Sequence, residues 1–107
     1  MKIAITSPNA KTISGHAGKC PGYLIYDVDT NQNIKKSHVK LTKEQVFKNF
    51  SGPLSQNADH PLSGINTFVT QGLGEGLNNR LSRDGIKVYL VESDDPEFVI
   101  ASLMSST

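Results

Sequence analysis

Residues 66–85 read NTFVTQGLGEGLNNRLSRDG, and this stretch decides the fold because it describes a strand, a tight turn and a helix in that order. The β-branched and apolar residues within 66–71 predict the strand. Glycines over 72–76 then predict the turn, and Gly85 is placed to end the helix. Between them, leucines recur at helical spacing: Leu73, Leu77 and Leu81. The sequence therefore predicts one β-turn-α unit.

The chain before this unit predicts three short strands. They fall at residues 2–6, 23–28 and 34–41, where apolar residues either run together or alternate with polar ones. The third strand carries several lysines, which is how proteins commonly protect a sheet edge from pairing with another chain. This pattern predicts an edge strand and not a nucleic-acid patch; its lysines are Lys35, Lys36 and Lys40.

Two more helices and a fifth strand are predicted outside the β-turn-α unit. Thr42 and Gln45 have the spacing of a capping box, so a helix is expected to start near residue 43, and it cannot run past Gly52-Pro53. Alternation of apolar residues predicts the fifth strand, at Ile86, Val88 and Leu90. Asp94 or Asp95 is placed to cap a last helix.

Composition restricts the class of protein. The 107 residues fit a single domain, 1–107, and their net charge of +1 gives no electrostatic case for binding nucleic acid or an anionic membrane. A single cysteine cannot form an internal disulfide, and the opening apolar run is too short for a signal peptide or a membrane span. These features favour a soluble cytoplasmic protein.

A loop with metal-ligating residue types follows the first strand. Residues 14–22 read SGHAGKCPG, which places His16 four positions before Cys20, among three glycines. Imidazole and thiolate together suit zinc, copper or iron–sulfur species, and glycines let backbone approach a bound object closely. The alternative is that both are ordinary loop residues.

Several blocks, in order along nearly the whole chain, resemble the dinitrogenase iron–molybdenum cofactor biosynthesis family. They are MKIAITSP at 1–8, SGHAGKC at 14–20 with YLIYDV at 23–28, DHPLSGI at 59–65 and QGLGEGL at 71–77, followed by Arg80-Leu81, Asp84-Gly85-Ile86 and Asp95-Pro96. The resemblance implies an α/β fold with a ribonuclease H-like motif: a five-stranded mixed sheet of order 3-2-1-4-5, with strand 2 antiparallel, flanked by helices.

In that strand order the first and fourth strands are parallel neighbours. The loop at 7–22 and the turn at 72–76 then meet at one sheet edge, where α/β folds usually hold ligands. The resemblance implies metal ligands at His16, Cys20 and His60, although His60 could instead start the short turn into strand four. Gly72, Gly74 and Gly76 precede a predicted helix and could present backbone N–H donors to an anion, or they could form only a tight strand-to-helix turn. Since His60 precedes strand four, its ligation requires the 51–61 loop to fold back.

The family implies a binding protein for an iron–sulfur or molybdenum-containing cluster. It would hold the iron–molybdenum cofactor or a precursor as cargo and pass it to cofactor biosynthesis or acceptor proteins, without catalysis of its own. Two alternatives stay open: a hydrolase that uses Cys20 and a histidine, and a structural or regulatory domain that no longer binds cofactor. A ribonuclease H-type nuclease is disfavoured because residues 2–6 contain no carboxylate for a metal ion.

Overall fold

A computed structural model describes residues 1–105 and contains a five-stranded mixed sheet. The strand order is β3-β2-β1-β4-β5, as predicted. β2 is antiparallel to both β1 and β3, whereas β1, β4 and β5 are parallel. The strands are β1 (Lys2–Thr6), β2 (Gly22–Val28), β3 (Ile34–Lys40), β4 (Thr67–Thr70) and β5 (Lys87–Leu90).

The central strands are buried on both faces of the sheet. One core lies between the sheet, the helix after β4 and the loop before β4, and it contains Tyr23, Phe47 and Phe68. A second core covers the opposite face and contains Ile3, Ile5 and other apolar residues. Burial on both faces explains why β1 and β2 read as nearly continuous apolar runs.

Both helices of the C-terminal half form where their end signals predict. Helix α1 (Glu75–Arg83) ends two residues before Gly85, which has the left-handed φ of +78° that favours glycine. Helix α2 (Pro96–Ser105) begins after Asp95, whose carboxylate accepts a hydrogen bond from Glu97 N at 3.0 Å. Among residues 1–105, no helix has the length and hydrophobicity needed to cross a membrane.

The prediction of a helix that starts near residue 43 is wrong. Residues 42–50 form successive turns, and the only helical element between β3 and β4 in the described chain is a short 3-10 helix, Leu54–Gln56. Half of the capping box is nevertheless present, because Thr42 N donates to Gln45 Oε1 at 2.9 Å. The local start signal was therefore correct, but the helix does not propagate from it.

Tertiary hydrogen bonds explain why the helix does not propagate. Lys48 N donates to Gly18 O at 2.7 Å, in the loop after β1. Gln45 O, which would accept from residue 49 in a helix, instead lies 2.8 Å from His60 Nε2. These partners occupy backbone groups that helical hydrogen bonds need.

Candidate functional site

The loop after β1 and the turn after β4 meet at the carboxyl edge of the sheet. Gln71 N donates to Ser14 O at 3.1 Å, and Ala17 N donates to Gly72 O at 3.1 Å. A Cβ on Gly15 would lie only 3.7 Å from Gly72 N, so the two backbones are in close contact. The predicted meeting of these two segments is confirmed.

Two buried threonines, neither of which was a predicted site residue, hold this junction by hydrogen bonds from the ends of β1 and β4. Thr6 and Thr70 are the last residues of β1 and β4, and both are fully buried. Thr6 Oγ1 lies 2.9 Å from Thr70 Oγ1 and 2.5 Å from Ser14 O, while Thr70 Oγ1 lies 3.1 Å from Gly72 O. The sequence could have indicated this contact, since the expected strand order makes β1 and β4 parallel neighbours and each of them ends in a threonine.

Tyr23 fixes the same loop from the core side. Its hydroxyl donates to Ala17 O at 2.9 Å, and its ring packs against Phe47 and Phe68. Burial raises the pKa of Tyr23 above its usual range, with the nearby Cys20 thiol as a smaller cause in the same direction. The tyrosine therefore holds the loop only in its neutral form.

Replacing Tyr23 by phenylalanine is expected to lower the free energy of unfolding by about 1–2 kcal/mol at pH 7, because Ala17 O loses its partner.

The raised pKa of Tyr23 also predicts a pH dependence of stability. The contribution of neutral Tyr23 is fully present below the unfolded-state pKa of about 10 and is lost as the pH rises above it. Urea unfolding between neutral and alkaline pH should therefore show a steeper alkaline loss for the wild type than for Tyr23→Phe. Tyr89→Phe, at a tyrosine that is 39% exposed, is the control, and parallel curves for wild type and Tyr23→Phe would contradict this assignment.

His16 lies at the exposed surface of the loop. It has φ of +60°, a left-handed conformation that few non-glycine residues adopt. Its carbonyl accepts hydrogen bonds from Lys19 N and Cys20 N, which closes the turn around it. Since a Cβ on Gly72 would lie 3.9 Å from His16 N, His16 stands beside the glycine turn with its side chain exposed to solvent.

Cys20 lies in a different environment from His16. It is buried in the core that contains Ala17 and Tyr23, and its Sγ donates to Gly22 O at 3.1 Å. The same sulfur lies 3.8 Å from Ser14 Oγ. The folded loop thus exposes the imidazole and buries the thiol, although the two residues are only four positions apart.

His60 is engaged within the loop before β4. It is 5% exposed, its Nε2 lies 2.8 Å from Gln45 O, and its Nδ1 accepts from Leu62 N at 3.1 Å. The neutral tautomer with the proton on Nε2 satisfies both partners. Phe47 and Phe50 pack against its ring, at centroid distances of 6.0 and 4.5 Å. In this conformation both ring nitrogens are occupied.

The glycine turn leads into the N-terminus of α1. Gly74 is the residue before the helix, and no side chain caps the first N–H groups there. Its φ of −76° is ordinary, and the space where a Cβ would stand at Gly74 and Gly76 is open. Uncapped N–H groups at a helix N-terminus favour anions. Among the described residues, no three His, Cys, Asp or Glu side chains form a group that could hold a metal ion.

Residues 1–106 match the family model described as dinitrogenase iron-molybdenum cofactor. This chain belongs to that family. The expected family assignment is therefore confirmed, and the chain is a small protein of a family related to the iron–molybdenum cofactor. Among curated proteins, none matches the chain significantly.

Solved structures show the same fold at low sequence identity. A protein from Methanocaldococcus jannaschii, described as a candidate dinitrogenase, has a TM-score of 0.71 and 20% identity, with 99% of this chain and 89% of that one covered. The apo form of the orange protein from Desulfovibrio gigas has a TM-score of 0.66 and 19% identity, with 98% of this chain and 88% of that one covered. A candidate NifB protein from Thermotoga has a TM-score of 0.67 and 19% identity, with 97% of this chain and 87% of that one covered.

Proposed function

We propose that this protein is a carrier for an anionic iron–sulfur or molybdenum-containing cluster, such as the iron–molybdenum cofactor or a precursor. The observation that carries the proposal is the exposed His16, held in a left-handed turn beside the glycine turn that opens α1. Membership of the dinitrogenase iron–molybdenum cofactor family supports this choice of cargo. The protein would pass the cluster to a biosynthesis or acceptor protein and would catalyse no reaction itself.

The chemistry of the edge fits cargo that has to be released. His16 offers one accessible imidazole nitrogen, and the N-terminus of α1 offers backbone donors to sulfide or oxygen atoms of the cluster. Open space at Gly18, Gly74 and Gly76 leaves room for a bulky inorganic group. Structural zinc sites instead use four ligands in a closed cage. A single side-chain ligand with several weak donors favours exchange.

Cys20 and His60 would need local rearrangement before they could bind a metal. Cys20 would have to break its bond to Gly22 O and leave the core. His60 would have to give up Gln45 O, Leu62 N or both. We therefore assign the initial contact to His16, with Cys20 as a second ligand only if the loop opens.

The hydrolase alternative has less support in this geometry. A cysteine nucleophile needs an exposed thiolate with a base within hydrogen-bond reach. The Cys20 thiol is 5% exposed and directed at Gly22 O. A structural or regulatory domain without cargo is distinguished from a carrier by direct titration.

The proposal is tested by anaerobic titration with isolated iron–molybdenum cofactor and, separately, with an iron–sulfur cluster assembled from ferrous iron and sulfide. We expect a saturable change in the visible absorption of at least one cluster, and transfer of that cluster to a stronger chelator. Saturable binding without release would argue against a carrier. If neither cluster shows saturable binding, the proposal is wrong and a structural or regulatory domain is favoured.

Gly74→Val tests the glycine turn separately from His16. Because Gly74 has an ordinary φ and open space around it, we expect the free energy of unfolding to change by no more than about 1 kcal/mol. Cluster affinity should fall several-fold, since the added side chain fills space that the cluster would occupy. The measurement is the same titration, with thermal unfolding alongside it.

Gly85→Ala, at the other end of α1, is the matched control for this prediction. Its φ of +78° makes alanine strained there, so stability should fall by about 1 kcal/mol or more while cluster affinity is retained. Unchanged affinity in Gly74→Val would remove the glycine turn from the site and leave the His16 loop alone.

A further inference from the structure

The outer side of β5 carries backbone groups that the sheet does not use. Lys87 N donates to Asn66 O and Val91 N donates to Thr70 O, both at 3.0 Å, so the odd-numbered residues of β5 face β4. Backbone groups alternate between the two sides of a strand. The N–H and C=O groups of Val88 and Leu90 therefore point away from the sheet, and within residues 1–105 no strand pairs with that side.

Large apolar side chains stand at this edge. Leu90 is 63% exposed and Tyr89 is 39% exposed. Natural proteins usually protect sheet edges with charges, prolines or bulges, because unpaired strand edges promote pairing with other chains. β5 contains only one charged residue, Lys87.

The opposite edge of the same sheet, strand β3, is protected by charge against pairing with other chains. β3 carries lysines along its length, and five of its seven residues are exposed. A β3 strand from another molecule would bring its lysines near Lys87, which is unfavourable because like charges across strands repel. A second β5 brings far less charge. The lysines of β3 are Lys35, Lys36 and Lys40.

β5 is also complementary to itself in one antiparallel register. In this register a two-fold axis passes through Val88. The outward N–H and C=O of Val88 in one copy bond to the C=O and N–H of Val88 in the other, and Leu90 N–H of one copy donates to the outward C=O of Ile86 in the other. Lys87 of one copy then lies opposite Tyr89 of the other, a cation–aromatic pair. An axis through Lys87 would instead place the two lysines directly opposite each other.

We propose that β5 pairs antiparallel with β5 of a second copy of this chain, joining the two sheets into one continuous sheet. This inference does not depend on the proposed cluster binding. Because a strand of four residues makes a small interface, the association is expected to be weak, with a dissociation constant of roughly 0.1–1 mM.

Sedimentation equilibrium on the full chain, from about 10 µM to about 1 mM, tests this proposal. The average mass of the wild type should rise with concentration, to about one and a half times the monomer mass or more at the highest concentrations. Leu90→Lys should weaken association at least tenfold by placing a second charge at the edge. Phe98→Lys is the matched control, because Phe98 is also 63% exposed but lies on α2, and it should associate like the wild type.

Backbone pairing is tested by Val88→Pro and by amide exchange. Proline removes an outward N–H that the sheet does not use, at an edge position where proline is tolerated, and it should abolish association while circular dichroism stays native. In the wild type, the Val88 and Leu90 amides should gain protection from hydrogen exchange as the concentration rises. A wild type that stays monomeric at about 1 mM would overturn the proposal. So would a dimer that Phe98→Lys weakens as much as Leu90→Lys, or one that forms without protecting these two amides.

Discussion

His16→Asn is expected to lower the affinity for the iron–molybdenum cofactor or an iron–sulfur cluster at least about tenfold, because it removes the one exposed imidazole at the sheet edge. Asparagine is the informative substitution, since it tolerates the left-handed conformation that His16 adopts at φ of +60°. The fold should therefore be unchanged, and the lost affinity can be assigned to the missing nitrogen ligand. Anaerobic titration followed by visible absorption measures the effect.

Two further variants separate ligation from loop shape. His16→Ala should lose the same affinity and also about 1 kcal/mol of stability, because alanine is strained at positive φ. His38→Asn is the control for a histidine on β3, outside the 14–20 segment: its Nε2 lies 2.7 Å from Ser7 O, and this variant should bind clusters like the wild type. If His16→Asn binds as tightly as the wild type, the imidazole is not a ligand.

The β-turn-α unit and the edge position of β3 were predictable because their signals are local, whereas the strand order was implied by the resemblance to the family. The leucine spacing before Gly85 specifies α1, and the lysines of β3 specify an edge. The meeting of the loop at 14–17 with Gly72 then follows from the strand order alone. Only the predictions of α1 and of the β3 edge need no knowledge of distant contacts.

The helix expected near residue 43 failed because distant groups decide that segment. Its capping interaction forms, yet Gly18 O and the His60 ring occupy the backbone groups that would continue the helix. Such competition depends on tertiary structure. A capping pattern cannot reveal it.

Side-chain direction within the site was equally hidden from the sequence. Spacing placed His16 and Cys20 in one loop, but a left-handed residue at position 16 reverses the chain, and the thiol is buried while the imidazole is exposed. The support from Thr6, Thr70 and Tyr23 depends on the order of the strands and on packing in the core. Hydrogen bonds from Thr6, from Tyr23 and from the chain at Gln71 therefore hold the loop before any cargo binds, which favours a preformed site over one created by binding.

His60→Ala is expected to have the largest effect on stability, lowering the free energy of unfolding by about 3–5 kcal/mol. The substitution leaves a cavity between Phe47 and Phe50, and it also leaves Gln45 O and Leu62 N without their partner. Urea unfolding at pH 7 measures the loss, and His60→Gln, which keeps some hydrogen-bonding capacity, should lose less. His38→Ala is the comparison, and it should cost only about 1 kcal/mol because one partly exposed hydrogen bond is removed.

The same variants decide whether His60 is a ligand. If its function is to hold the loop before β4, His60→Gln that remains folded should bind clusters with wild-type affinity. The opposite pattern is a stability loss below about 1 kcal/mol together with a tenfold loss of cluster affinity. That result would show that His60 leaves Gln45 O and Leu62 N in solution and reaches the edge where His16 lies, as the resemblance to the family implies.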